Sequence, residues 1–213
     1  MKRLSLLAPL ALAACAHSTA PCPTDTTARS AAAAATADSV AYVPTGAGGS
    51  PAPSTLRVTS EAFAEGTTIP IHSIFNGFGC TGENRSPAIQ WSGTPEGTRS
   101  FAVIVHDPDA PTGTGFYHWV AYDLPGDTRS LPDNAGAEGS LPAGAHVGRT
   151  DYGTGAYGGP CPPPGPAHRY RFSVYALDTP ALGAPEGSSA ALVRFMLRGH
   201  VLAHGTLTGT YGR

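Results

Sequence analysis

Charge is scarce in this chain and shows no clustering. Of 213 residues only 13% are charged, and 15 acidic against 13 basic residues leave a formal net charge of −2. The basic residues are scattered singly, so there is no electrostatic footprint for nucleic acid. The apolar run Leu4–Ala14 is too short to span a bilayer as a stable anchor. No Gly-Lys-Thr phosphate loop and no Gly-x-Ser-x-Gly elbow occurs, which leaves nucleotide hydrolysis and serine-hydrolase chemistry without a motif. GTGAYG, Gly153 to Gly158, matches the dinucleotide fingerprint by letter. It lacks the preceding strand and following helix, and it runs into GPCPPP, so it is a chance match that contributes flexibility.

The ends and the middle differ in composition. Lys2 and Arg3 precede the apolar run, which closes Leu12-Ala13-Ala14-Cys15 and resembles a bacterial lipoprotein signal. That resemblance implies a signal peptide over residues 1–14, lipidation of Cys15, and membrane contact through the N-terminal anchor alone. With Ala16 next, the implied address is the outer membrane, facing the periplasm. A secreted protein cut after Ala14 or Ala20 is the alternative. Residues 15–54 are rich in Ala, Thr, Ser, Pro and Gly and cannot bury a core, so they are expected to form a disordered tether. Residues 55–213 remain as one domain. Of the four cysteines, Cys22 falls in the tether. Cys80 with Cys161 is therefore the favoured disulfide pair, worth roughly 4 kcal/mol by chain entropy, against two buried inert thiols.

Within the domain, LRVTS, the segment around TTIPIHSIF, AIQW, SFAVIVHD, FYHWVAYDLP, HRYRFSVYALD and a closing LTGTYGR read as strands. Ser188 to His204 has helical spacing, with Leu192, Phe195, Met196 and Leu202 as its stripe, a cap at Ser188 or Ser189, and Gly205 at its end. His200 and His204 would then lie one helical turn apart, as surface residues rather than metal ligands. The pattern predicts a mainly β fold of two packed antiparallel sheets with a C-terminal helix and peripheral loops. Asp107 closes the apolar row Phe101, Val103, Val105, and His168 begins the row Tyr170, Phe172, Val174, Ala176. By the same parity His118 falls on the face of Val120 and Tyr122. A metal site from His106, His118 and His168 with Asp107 is disfavoured, because His106 and Asp107 point to opposite faces. No metal or cofactor is expected.

SPAIQW, DPDAP, YHWV and YGGPCPPPGPAHRYRF occur in an order and at a spacing similar to the phosphatidylethanolamine-binding protein (PEBP) family, in its bacterial Raf-kinase-inhibitor-like branch. The resemblance covers Leu56 to Arg213. It implies a β-sandwich with a small anion pocket that takes phosphate, a carboxylate or the phosphoethanolamine headgroup. It also implies Asp107, His118, His168 and Tyr170 as ligand-binding residues, with Gly159 and Pro160 as the pocket wall and backbone amides near Gly158 and Gly159 as donors. The function expected is a non-catalytic binding module on an envelope lipoprotein, with affinity falling as pH rises above neutrality. The competing classes are a phosphoester hydrolase using His118 or His168 as base, with the Cys161 thiol as a group to test, and an inhibitor of secreted enzymes acting through the long Gly-rich loop.

Overall fold

The computed structural model describes residues 54–213. The expected signal peptide, the expected lipidation site Cys15, Cys22 and nearly all of the expected tether lie outside the described residues. Eleven strands, one 3-10 turn and one α-helix follow in order. They are β1 (Ser54–Thr55), β2 (Arg57–Thr59), a 3-10 turn (Ile71–Ser73), β3 (Asn76–Gly77), β4 (Cys80–Thr81), β5 (Ile89–Ser92) and β6 (Ser100–Asp107). Then come β7 (Phe116–Pro125), β8 (Ser130–Leu131), β9 (His146–Val147), β10 (His168–Leu177), α1 (Ala190–Leu197) and β11 (Val201–Tyr211).

The large sheet has the order β1-β11-β10-β6-β7-β9, and the smaller sheet has the order β2-β5-β8. Pairing is antiparallel throughout these sheets except where the two residues of β1 join β11. The alternation of β10 explains its central place. His168, Tyr170, Phe172, Val174 and Ala176 are all buried on one face, while Arg169 and Arg171 are exposed on the other. That apolar face meets Leu56, Val58, Ile89, Trp91 and Leu131 from the smaller sheet in one core. Phe172 against Phe63 and Phe101 against Trp91, each with ring centroids 5.3 Å apart, add offset aromatic contacts. A second cluster lies on the opposite face, where Ala190, Val193 and Leu197 of α1 cover Ala102, Ile104, Val120 and Tyr122.

The structure corrects three elements. α1 ends at Leu197, and Gly199 and His200 turn the chain into β11. Ser189 caps the helix as expected, accepting from Leu192 N at 3.3 Å. Leu192 and Phe195 face solvent, and Phe195 is 70% exposed, because the buried stripe is Ala190, Val193, Leu197. His200 and His204 share no helix: His200 Nδ1 pairs with Asp178 at 2.8 Å and His204 stacks on Tyr175. Gly205 sits inside β11, not at a helix end, where a Cβ would collide with the Leu56 carbonyl. Around TTIPIHSIF the expected strand gives only a bridge from Thr68 to Thr210, and Ile71–Ser73 turns as 3-10 after Pro70.

Candidate functional site

Three strand termini converge at one end of the large sheet. Asp107 is the last residue of β6, His168 the first of β10, and Phe116 and His118 begin β7. Here the pairing with β6 slips: Val105 pairs with Trp119, but His106 pairs with Tyr117. His118 is therefore an extra residue, a β-bulge. The expected parity fails for that reason. Val120 and Tyr122 pack under α1, while His118 turns to the opposite face and meets Tyr170 edge-on, with ring centroids 5.1 Å apart.

These side chains floor a cavity of about 160 Å³, small beside the roughly 300–1,000 Å³ typical of sites for drug-sized ligands. Its walls are Phe78, Phe116, Tyr152, the Ala110–Thr112 turn and Cys161–Pro163. Asp107 is 3% exposed, and its carboxylate accepts three hydrogen bonds: Oδ1 from the backbone amides of Asp109 (2.8 Å) and Ala110 (3.1 Å), and Oδ2 from His168 Nδ1 (2.7 Å). DPDA thus folds back on its own first carboxylate, which fixes the His168 ring with Nε2 unbonded. His118 Nδ1 donates to the Gly158 carbonyl at 2.7 Å, so its Nε2 is also left without a hydrogen bond among the described residues. Burial holds the His118 imidazole down at about 4, so the ring is neutral at physiological pH and Nε2 carries a lone pair. In the same cavity the Tyr170 hydroxyl is buried and has no hydrogen-bond partner within 3.5 Å among the described residues. Burial, then the Asp107 charge, push its phenol well above the usual range, so it remains a donor.

Two expected contributors are placed differently. Gly159 and Pro160 do not line the cavity; both are buried behind it. Gly159 N donates to Asn84 Oδ1 at 2.7 Å, Gly158 N donates to the His118 carbonyl at 2.9 Å, and the Pro160 carbonyl accepts from Phe75 N. Those amides are spent on the fold and do not point at a ligand. The glycine is required because a Cβ at 159 would strike the Ser73 carbonyl. The wall is displaced by two residues, to Cys161, Pro162 and Pro163. Cys161 is joined to Cys80 by a disulfide, with Cα atoms 6.0 Å apart, and so offers no thiol.

Tyr152 is a site residue with no expectation attached. Its hydroxyl donates to Gly159 O at 2.8 Å, and its ring stacks on Phe75 and meets His118 edge-on. It immediately precedes Gly153–Gly158, the stretch expected only to add flexibility, whose Tyr157 is buried and donates to Ser73 O at 3.0 Å. Two tyrosines, Tyr152 and Tyr157, in a loop otherwise poor in large side chains are the available signal. His106, as expected, points away from Asp107, and no group of three or more metal-ligating side chains occurs among the described residues.

A β-sandwich of one large and one small sheet, with a small polar-floored cavity at the end of the large one, is the class that fold and site together define. Residues 59–212 match the family model described as phosphatidylethanolamine-binding protein, and the chain belongs to that family. Escherichia coli YbcL is 44% identical over 161 residues, 74% of this chain and 88% of that protein. The crystal structure of YbcL superposes with a TM-score of 0.73 over 75% of this chain and 99% of its own. The Chlamydia trachomatis PEBP homologue CT736 does so at 0.64 and 31% identity, over 75% of this chain and 98% of its own. LppC of Mycobacterium tuberculosis, named as a candidate lipoprotein, is 34% identical over 162 residues, 76% of this chain and 74% of that protein.

Proposed function

We propose that the cavity binds a small oxyanion, a phosphate, a carboxylate or the phosphoryl headgroup of phosphoethanolamine, and holds it without turning it over. One observation carries the reading: a buried Tyr170 hydroxyl without a hydrogen-bond partner among the described residues lines the same cavity as two imidazoles, His118 and His168, whose Nε2 atoms make no hydrogen bond there. A buried hydroxyl left unpaired costs about 1–3 kcal/mol, so the site is built for an acceptor the protein does not supply. Neutral His118 accepts rather than donates, and the Asp107 charge repels a bare anion. The favoured ligand therefore arrives with a proton, or the site takes one up, and affinity falls with rising pH. The His168–Asp107 pair would orient a general base, but Cys161 is spent in its disulfide, the Thr112 and Tyr152 hydroxyls donate to the Gly115 and Gly159 carbonyls, and the described lining carries no serine, which favours binding over hydrolysis.

Calorimetric titration with inorganic phosphate, acetate and phosphoethanolamine tests the reading. Wild type is expected to bind with proton uptake in buffers of differing ionisation enthalpy, and Tyr170→Phe to bind about tenfold more weakly, the worth of one hydrogen bond to a charged group. Equal affinity of Tyr170→Phe, or release of phosphate from p-nitrophenyl phosphate lost in His168→Ala, overturns it. The envelope address rests on the Leu12–Cys15 ending and on LppC being named a lipoprotein. Metabolic labelling with palmitate that is equal in wild type and Cys15→Ser would remove that part.

A further inference from the structure

The strands that build the cavity carry a second set of polar side chains on their other face. β6 and β10 turn Asp107 and Tyr170 inward, and the residues beside them, His106 and Arg171, pair across the same ladder facing outward. There, next to α1, lies a separate concavity of about 190 Å³ whose lining includes His106, Arg171, Ser173, Arg194, His204 and Thr206. α1 supplies Arg194, which donates through Nη1 to the Tyr117 hydroxyl at 2.5 Å and lies over that ring, 5.8 Å from its centroid. This leaves its other guanidinium donors unused.

Neither arginine has a carboxylate within 4.0 Å among the described residues. The contrast along β10 is informative. Arg169 is held by Asp109 through two side-chain bonds of 2.9 and 2.6 Å, while Arg171, two residues on and on the same face, has no such partner. The cations are close enough to act on their surroundings: burial, and then the charges of Arg194 and Arg171, hold the His106 ring below its usual range. A hydroxyl pair, Ser173 Oγ and Thr206 Oγ1 at 2.9 Å, completes the floor. Guanidinium forks without carboxylates, beside hydroxyl donors in a concave surface, match the oxygens of a phosphate group.

We propose that this groove is a second oxyanion site, in which Arg171 and Arg194 hold a phosphate group on the face of the sheet opposite to the Tyr170 cavity and independently of it. The reading does not depend on what the Tyr170 cavity takes.

The side-chain Nε–H signals of Arg171 and Arg194 in ¹⁵N-labelled protein, followed during titration with inorganic phosphate at constant ionic strength, test it. Both signals are expected to shift saturably, and to do so equally in Tyr170→Phe. Phosphate affinity read by calorimetry in the Tyr170→Phe background is expected to drop at least tenfold when Arg171→Gln and Arg194→Gln are added, and to recover in part when Arg171→Lys replaces Arg171→Gln, which keeps the charge but not the fork. Shifts that are linear, that sodium chloride reproduces, or that vanish in Tyr170→Phe overturn the proposal. A second arm separates the sources of the phosphate. Co-sedimentation with phosphatidylcholine vesicles containing phosphatidic acid, lost in the double glutamine variant, assigns a lipid headgroup. Saturable phosphate binding without vesicle binding assigns a soluble phosphate compound. Phosphate and vesicle binding that both ignore the double variant refute the site.

Discussion

Acid should destabilise this protein in part through His118. Its imidazole is held at about 4 in the folded chain, against an ordinary 6.5, chiefly by burial. Above pH 6.5 the ring is neutral in both folded and unfolded chains and contributes no pH dependence. Below that value the unfolded chain takes up the proton first, so stability falls as pH falls and levels off below about 4. At 1.36 kcal/mol per pH unit, the full loss is roughly 3 kcal/mol, a substantial part of a typical domain's stability. Urea denaturation in chloride buffers from pH 7.5 to 3.5, on wild type and His118→Asn, isolates this contribution. The variant keeps an amide donor for the Gly158 carbonyl but cannot titrate. The Asp109 carboxyl, held low by its bonds to Arg169, is common to both proteins and cancels. The difference between the two curves should open between pH 6.5 and 4 by about 3 kcal/mol, and phosphate should narrow it by supplying the counter-charge. Parallel curves would refute the assignment of His118 as a neutral, buried ring.

Replacing the 81-residue covalent loop with Cys80→Ser and Cys161→Ser should cost about 4.5 kcal/mol by loop entropy, seen as a matching shift in urea midpoint that reducing agent reproduces in wild type. Gly159→Ala should destabilise by about 1–3 kcal/mol through its collision with the Ser73 backbone, although the residue does not line the cavity; an unchanged thermal midpoint would show that the turn yields freely. On α1, Leu197→Ala should cost about 2–5 kcal/mol, while Phe195→Ala should stay within about 0.5 kcal/mol, a contrast that denaturation curves of the two variants resolve.

The residues that could be read in advance were those in regular alternation. Asp107 ends and His168 begins rows that are buried as their period predicts, and the prolines of Pro160–Pro166 do exclude regular structure. His118 could not be placed, because a bulge adds one residue to a strand without changing its composition and inverts every parity argument across it. β11 was divided between a helix and a short strand for a related reason. Gly205 and Gly209 occupy core-facing positions where Leu56 and Ile69 press on the backbone, so half of its apolar row carries no side chain to reveal it. Gly159 and Pro160 are the wall residues that the family resemblance implies, and the structure places them away from the cavity. Their neighbours Cys161–Pro163 reach it instead, since the Gly159 backbone is drawn back against the 3-10 turn.

The disulfide divides the large sheet, apart from the two residues of β1, into two parts. β6, β7 and β9 lie within the covalent loop closed by Cys80 and Cys161, whereas β10 and β11 follow it in the chain. The border between β6 and β10 is thus a seam between an enclosed half and a trailing half of the molecule. Asp107 and His118 come from one side of it and His168 and Tyr170 from the other, and the 2.7 Å bond from His168 to Asp107 is a stitch across it. The covalent loop by itself holds only Asp107 and His118 of the cavity floor; His168 and Tyr170 join them only where β10 pairs with β6, so an intact cavity reports that both halves of the sheet have been joined.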